Sequence, residues 1–322
     1  MTKTEKDVKL QQPKNQKYAG KAMTKGRYIR TQMKRNWVGY VMVAPFLIMF
    51  IAFTVVPVVL SILLSFTSFN MLQLPEWKGL DNYVQLFLAD DLFITAFSNT
   101  MLFAITTGPA SFILAFIVAW FINELSPRLR AFVTLIFYAP SIAGTAYLVW
   151  GIFFKGDIYG YVNGWLRKMG MISEPIVFFK DVEYIVPLCV VVAIWTSLGT
   201  TFLSNIAGLQ GVDRSLYEAG AIDGVTNRWQ EVWYITLPSM KPQLMFAAVM
   251  SITGSFNFGG IVTALCGSTP TDYVGYTIAH HMSEYGGVRW EMGYAAALSF
   301  LMFLLVFGVN IVINKLLAKV GQ

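Results

Sequence analysis

The chain has 322 residues, 56% of them hydrophobic, 15% aromatic and only 13% charged, whereas an ordinary soluble domain carries about 25% charged residues. The missing charge points to lipid as the solvent. A net charge of +6 would suit a nucleic-acid binder, but its distribution along the chain reads as membrane topology, and nucleic acid is excluded as a partner.

In chain order, residues 1–36 come first. They hold 11 Lys and Arg against Glu5 and Asp7, with few large apolar side chains, a composition that predicts a disordered tail. Six segments follow that reach the roughly 20 apolar residues a helix needs to cross a bilayer. They are Trp37–Phe66, Phe93–Ile122, Ala131–Phe154, Tyr184–Ala207, Gln243–Leu265 and Met292–Ile313. The first is too long for a signal-peptide core and is read as a retained helix. The expected class is therefore an all-α integral membrane protein of the cell membrane, with one six-helix domain over 37–317 and a short end at 318–322. The basic tail belongs in the cytoplasm, and six crossings return the C-terminus to the same side. On that count 18 basic residues lie inside and 6 outside. Arg128, Arg130, Lys315 and Lys319 fall inside, while the 67–92 loop carries Glu76, Asp81, Asp90 and Asp91 against Lys78.

None of the six segments contains Asp, Glu, Lys, Arg or His. Ion-coupled carriers and pumps usually keep ionisable relays in the membrane, so a secondary carrier is disfavoured. No phosphate-binding GxxxxGK[ST] loop, HExxH, GxSxG or CxxC pattern occurs. Nothing here is an enzyme's site, and no cofactor or metal is called for. Energy for uphill movement would have to come from a partner. Cys189 and Cys266 show no paired spacing and are read as packing residues.

What the spans do contain is uncharged polarity. In the fourth, Thr196, Thr200 and Ser204 recur every four residues, with Ser197, Thr201 and Asn205 beside them, which on one continuous helix makes a polar stripe. Trp195 adjoins it. The fifth carries "TGSFNFGG", placing Asn257 between Phe256 and Phe258; the third carries "APSIAGTAY" and the second "TTGP". Such residues commonly let membrane helices pack closely. As a set they also suit a path for an uncharged solute such as a sugar, so Trp195, Thr196, Thr200, Ser204, Phe256 and Asn257 are the candidate path. Ala295, Ala296 and Ala297 in the last span read as packing surface.

Between the fourth and fifth segments, residues 208–242 break the apolar pattern with "SLYEAGAIDGVTNRWQEVWYITLP". Two short helices are expected. Asp213 caps the first, or Ser215 with Glu218 forms a capping box. Leu216, Ala219 and Ile222 share a face, and Gly224 stands where a glycine terminates a helix. Thr226 would cap the second helix, with Trp229, Val232 and Trp233 on one face and Pro238 at its end. The hairpin is either a rigid knob for a partner or an element lying on lipid headgroups.

Glu218-Ala219-Gly220, Asp223-Gly224-Val225 and Ile235-Thr236-Leu237-Pro238 resemble the EAA loop of binding-protein-dependent ABC importer permeases. The family pattern there is Glu-Ala-Ala, two residues, Asp-Gly-Ala, then a helix ending Ile-x-Leu-Pro. Gly220 and Val225 replace its alanines. Over about residues 37–317, "GLDNYVQLF", "LSNIAGLQGVDRSLYEAGAIDG" and "GYAAALSFLMF" are similar to sugar permeases of the maltose/glycerol-phosphate type. The resemblance implies one half of a heterodimeric pore with a second permease subunit. It also implies an ATP-binding cassette ATPase dimer that receives the hairpin, and an external solute-binding protein. By the same resemblance Glu218, Ala219, Gly220, Asp223, Gly224, Leu237 and Pro238 form the coupling loop, none of them catalytic. The substrate would be a sugar, with glycerol phosphate or another polyol as the alternative; a non-transporting scaffold is the remaining class. In the 266–290 loop, His280, His281 and Glu284 suit contact with the binding protein better than a metal. Trp165 either touches the same partner or anchors at the membrane interface.

Overall fold

The computed structural model describes residues 35–317; nearly all of the expected disordered tail, and the end at 318–322, lie outside the described residues. Among those described, the regular structure is helical, apart from an isolated antiparallel bridge between Thr67 and Trp77. The chain divides into two compact units, one ending at Leu60 and one beginning at Ser61. The first unit is dominated by α1, Trp37–Leu64. Its side chains are apolar on all sides and almost all exposed, the pattern of a helix solvated by lipid. A π-turn at Ile51–Val55 precedes Pro57, which has no N–H to continue the ladder.

The second unit is built on α3, Asp91–Asn123, which follows the short α2, Asp81–Leu88. Asp90 caps α3, its carboxylate accepting from Phe93 N at 3.0 Å. Ala96, Ala104, Gly108, Ser111, Ala115 and Ala119 form a buried small-residue face on α3, which lets neighbouring helices come close. The neighbours are α8, Thr200–Gln210, and α11, Lys241–Phe256. Phe202, Ile206, Met240 and Leu244 close over Ala115 and Ala119. Ala248, Ile252 and Phe256 close over Ala104.

Three of the six expected spans are not single helices. The third is split into α4, Pro127–Ile142, and α5, Leu148–Phe153, because Gly144 adopts φ +56° in the turn between them. α6, Tyr161–Lys168, follows. The fourth comprises α7, Val182–Thr196, and α8, bent by 43°. The fifth comprises α11 and α12, Gly259–Cys266, bent by 42°. Among the described residues, three unbroken helices are long and apolar enough to cross a membrane: α1, α3 and α14, Met292–Leu317. Counting each bent pair as one span gives five.

Candidate functional site: a hydroxyl-lined cavity and a capped hairpin

Both bends open onto one cavity of about 280 Å³. The first bend is set by Gly199, at φ −120° and ψ −114°, a combination side chains avoid. A Cβ there would lie 2.7 Å from Ser141 Cβ, so glycine lets the break press against the end of α4. The break also separates Thr196 from Thr200, which removes the premise of a continuous stripe. Thr196, Thr200 and Asn257 of the expected path do line the cavity, as do Ser197 and Thr201. Trp195, Ser204 and Phe256 do not. Trp195 packs edge-on to Trp150 at 5.7 Å. Ser204 Oγ lies 3.5 Å from Gln243 O, between α8 and α11. Phe256 is buried in the core beside Ala248 and Ile252. Asn205 is fully buried with neither amide atom partnered, and nothing in the structure explains it.

The cavity contains no ionisable side chain. Most of its hydroxyls are not free rotors. Those of Thr107, Ser141, Thr196, Ser197 and Ser255 each donate to a carbonyl three or four residues back in their own helix. Each has one proton, so what they turn to the cavity is acceptor lone pairs. Thr201 and Ser251 bond each other at 3.3 Å. Among the described residues, the Ser111 and Thr200 hydroxyls and the Asn257 side-chain amide have no hydrogen-bond partner, and they line the cavity as donors. Met250, Gly254 and Asn257 also line a second, largely apolar cavity, so Asn257 stands in a shared wall.

The hairpin forms two helices as its caps dictate. α9, Arg214–Ile222, is capped by Asp213, whose carboxylate accepts from Ser215 N at 3.0 Å; that bond holds the Asp213 carboxyl below the ordinary range. The alternative box from Ser215 to Glu218 is not formed. α9 ends at Gly224, φ +92°, with Val225 N donating to Gly220 O at 2.9 Å and Gly224 N to Ala221 O at 3.4 Å. This paired closure requires the left-handed residue.

α10 starts at Arg228 and runs through a π-turn, Val232–Thr236, to Ser239. Its cap is Asn227 rather than Thr226: Asn227 Oδ1 accepts from Trp229 N, and Gln230 Oε1 accepts from Asn227 N. Glutamine three residues on decides between the two neighbours. The π-turn arises because Pro238 has no N–H for Tyr234; Leu237 N donates instead to Val232 O. Helix phase shifts in consequence. Val232 and Thr236 face inward while Trp229, Trp233 and Tyr234 face outward, so Val232 does not share the tryptophan face. Pro238 lies within α10, which ends at Ser239.

A Cβ on Gly220 would stand 2.5 Å from Ile235 Cδ1, so this glycine lets α9 and α10 touch. Tyr217 OH and Thr236 Oγ1, 2.9 Å apart, join them again. Glu218, Ala219 and Asp223 are exposed. Ile222 is 87% exposed, an unusual position for a large aliphatic side chain on a polar hairpin. Arg228 ties α10 to Glu124 at the end of α3, at 3.2 Å, and Trp229 meets Trp120 at 5.6 Å.

At the other end of α3, His280 and His281 on α13, Ile278–Ser283, are interior residues rather than a contact surface. His281 Nε2 lies 2.8 Å from Asp90 Oδ2, which also accepts from Tyr294 OH at 2.7 Å. Burial raises the Asp90 carboxyl, but the bonds from Tyr294 and His281 prevail and hold it below the ordinary value. Tyr276 OH donates to Glu284 at 2.7 Å and faces His281 Nδ1 at 3.3 Å; Glu284 in turn pairs with Arg289. His280 accepts at Nδ1 from Thr277 N and meets Thr263 Oγ1 at Nε2, and burial pushes it down to about 4. Among the described residues no group of three or more His, Cys, Asp or Glu could hold a metal. Trp165 is exposed on α6.

Residues 111–322 match the family of binding-protein-dependent transport system inner membrane components. The chain belongs to this family. It is 30% identical over 300 residues to the probable ABC transporter permease protein YesP of Bacillus subtilis, covering 91% of this chain and 94% of that protein. It is 31% identical over 233 residues to the lactose transport system permease protein LacF of Rhizobium radiobacter, covering 70% and 76% respectively. The fold is shared with a chain in the crystal structure of a bacterial alginate ABC transporter in complex with an alginate pentasaccharide-bound periplasmic protein. That match has a TM-score of 0.75 at 23% identity, covering 91% of this chain and 98% of that one.

This inner-membrane component is thus a multi-pass membrane protein and a transporter subunit, not an enzyme. Two of the permease's cavity residues escaped the sequence reading: Ser111 and Ser251 gain meaning only from the two bends. Gly199, directly before Thr200, was the available signal.

Proposed function

We propose that this chain is the six-span permease subunit of an ATP-driven importer that moves an uncharged sugar or oligosaccharide into the cytoplasm. In this reading α4 and α5 together make the third span, the bent pairs make the fourth and fifth, and both termini are cytoplasmic. A second permease subunit completes the pore, an external binding protein delivers the solute, and ATP is hydrolysed by a separate ATPase dimer. The hairpin docks there through Ile222, Trp229 and Trp233, with Glu218, Ala219, Gly220, Asp223, Gly224, Leu237 and Pro238 shaping or bracing it.

One observation carries the substrate reading: the cavity offers acceptors on five hydroxyls and donors at Ser111, Thr200 and Asn257, with no charge. A sugar hydroxyl both donates and accepts, so it can use both sets. The lining offers no cation to a phosphate, which favours a neutral sugar over glycerol phosphate. The name of one relative, the lactose transport system permease, supports an uncharged carbohydrate. The test is uptake in vesicles containing the whole complex. Sugar accumulation should require ATP and the ATPase; accumulation driven by an ion gradient without the ATPase would make the protein a secondary carrier.

A further inference from the structure

Cys189 and Cys266 are far apart in sequence, yet their sulfurs are 3.9 Å apart, both as free thiols. Cys189 is fully buried in α7, and Cys266, the last residue of α12, is half-buried. Ile185 and Ala193 of α7 pack with Val262 of α12 around them. A disulfide needs the sulfurs about 2 Å apart, so the pair must close the rest of the 3.9 Å gap. The position gives the pair a consequence. α7 leads into the bend at Gly199, and α12 leaves the bend at Asn257. Ala193 and Thr196, four and seven residues after Cys189, line the hydroxyl cavity, as does Ile261, five before Cys266. The thiols therefore join the two half-helices that wall the cavity on one side.

We propose that Cys189 and Cys266 are a disulfide-forming modification site, and that the bond staples α7 to α12 and stalls movement through the cavity. The oxidant is a small organic disulfide. Cys266, the more exposed thiol, attacks it, forming a mixed disulfide and releasing one small thiol. Cys189 then attacks the Cys266 sulfur, forming the Sγ–Sγ bond and releasing the second. The pair loses two electrons and two protons, and the small disulfide is reduced to two thiols. The staple leaves the hairpin free, so ATPase docking persists while passage stops. Thiol reductants reverse it.

The test uses the whole transporter in proteoliposomes, treated with oxidised glutathione and then with dithiothreitol. These are the chain's only two cysteines, so peptide mass spectrometry assigns any crosslink within it without ambiguity. The expected result is a 189–266 crosslinked peptide, blocked maleimide labelling at both sites, and severalfold slower uptake that dithiothreitol restores. C266S, at the half-buried helix end, should keep its uptake through the same treatment, as should C189S. Two results overturn the proposal: both thiols staying maleimide-reactive in the unfolded protein after oxidation, or a quantitative crosslink with unchanged uptake.

Discussion

Around Asp90, buried polar groups from three parts of the chain satisfy one another. The α3 cap, His281 of α13 and Tyr294 of α14 meet at a single carboxylate. On the hairpin, the backbone is satisfied by caps, but Leu216, Ile222, Trp229, Trp233 and Tyr234 stand exposed. One region is closed upon itself, and the other presents an unfinished apolar surface. Large exposed patches mark interaction sites, so the contrast fits the proposal that a partner docks on the hairpin. Damage to the Asp90 knot should therefore cost folding, whereas damage to the hairpin should cost coupling.

The largest effect should come from Asp90→Ala. It removes the α3 cap and leaves His281 and Tyr294 buried without their shared acceptor, and each buried polar group left unsatisfied costs about 1–3 kcal/mol. Thermal unfolding of the purified complex should show a large drop, with Asp90→Asn milder. A loss close to that of a surface substitution would break the contrast.

Acid should act on the same end of the molecule. His280 is held neutral, its folded value about 4 against about 6.5 unfolded. The unfolded chain then binds the proton first, so stability is full above about 6.5 and declines as pH falls toward 4. Between pH 7 and 5 the loss should be about 2 kcal/mol, and His280→Gln should flatten the profile. Asp90, held below its ordinary value, keeps its contribution until pH falls below the unfolded carboxylate range. It therefore adds little to the slope above pH 5.

A smaller effect is expected in the cavity. Asn257→Ala and Thr200→Val each remove a neutral hydrogen bond worth about 0.5–1.5 kcal/mol. Uptake should weaken severalfold with thermal stability unchanged; unchanged uptake would return both residues to packing. Arg228→Ala should matter least. Its pairs with Glu124 and Glu231 are exposed, and such pairs contribute about 0–1 kcal/mol, readable as a small shift in the same melting experiment.

The hairpin was the most legible part of the sequence because its determinants are local. Asp213 and Gly224 cap α9 within a few residues; what went astray was the choice between Thr226 and Asn227, where Gln230 decides, and the phase of α10, where the π-turn before Pro238 carries Val232 off the tryptophan face. The Asp90 knot was illegible for the opposite reason. Asp90 and His281 are separated by 191 residues, and no periodicity connects an acidic loop to a histidine pair read as surface. The bends were hidden because an apolar run announces a span without saying whether one helix fills it. Gly199 and Asn257 carried that information, but a glycine or asparagine among Ser and Thr reads equally as close packing.

The central claim is that the hairpin transmits the ATPase's work to the cavity, and Gly224→Val tests it most directly. Gly224 has open space around it but holds φ +92°, where a β-branched residue is strained. The closure of α9 onto Val225 must then give way and redirect Ile222. The measurement is substrate-stimulated ATP hydrolysis by the reconstituted complex, alongside co-purification of the ATPase. The account predicts a correctly inserted permease that has lost stimulated hydrolysis, ATPase binding or both. Normal binding together with normal stimulation would contradict it.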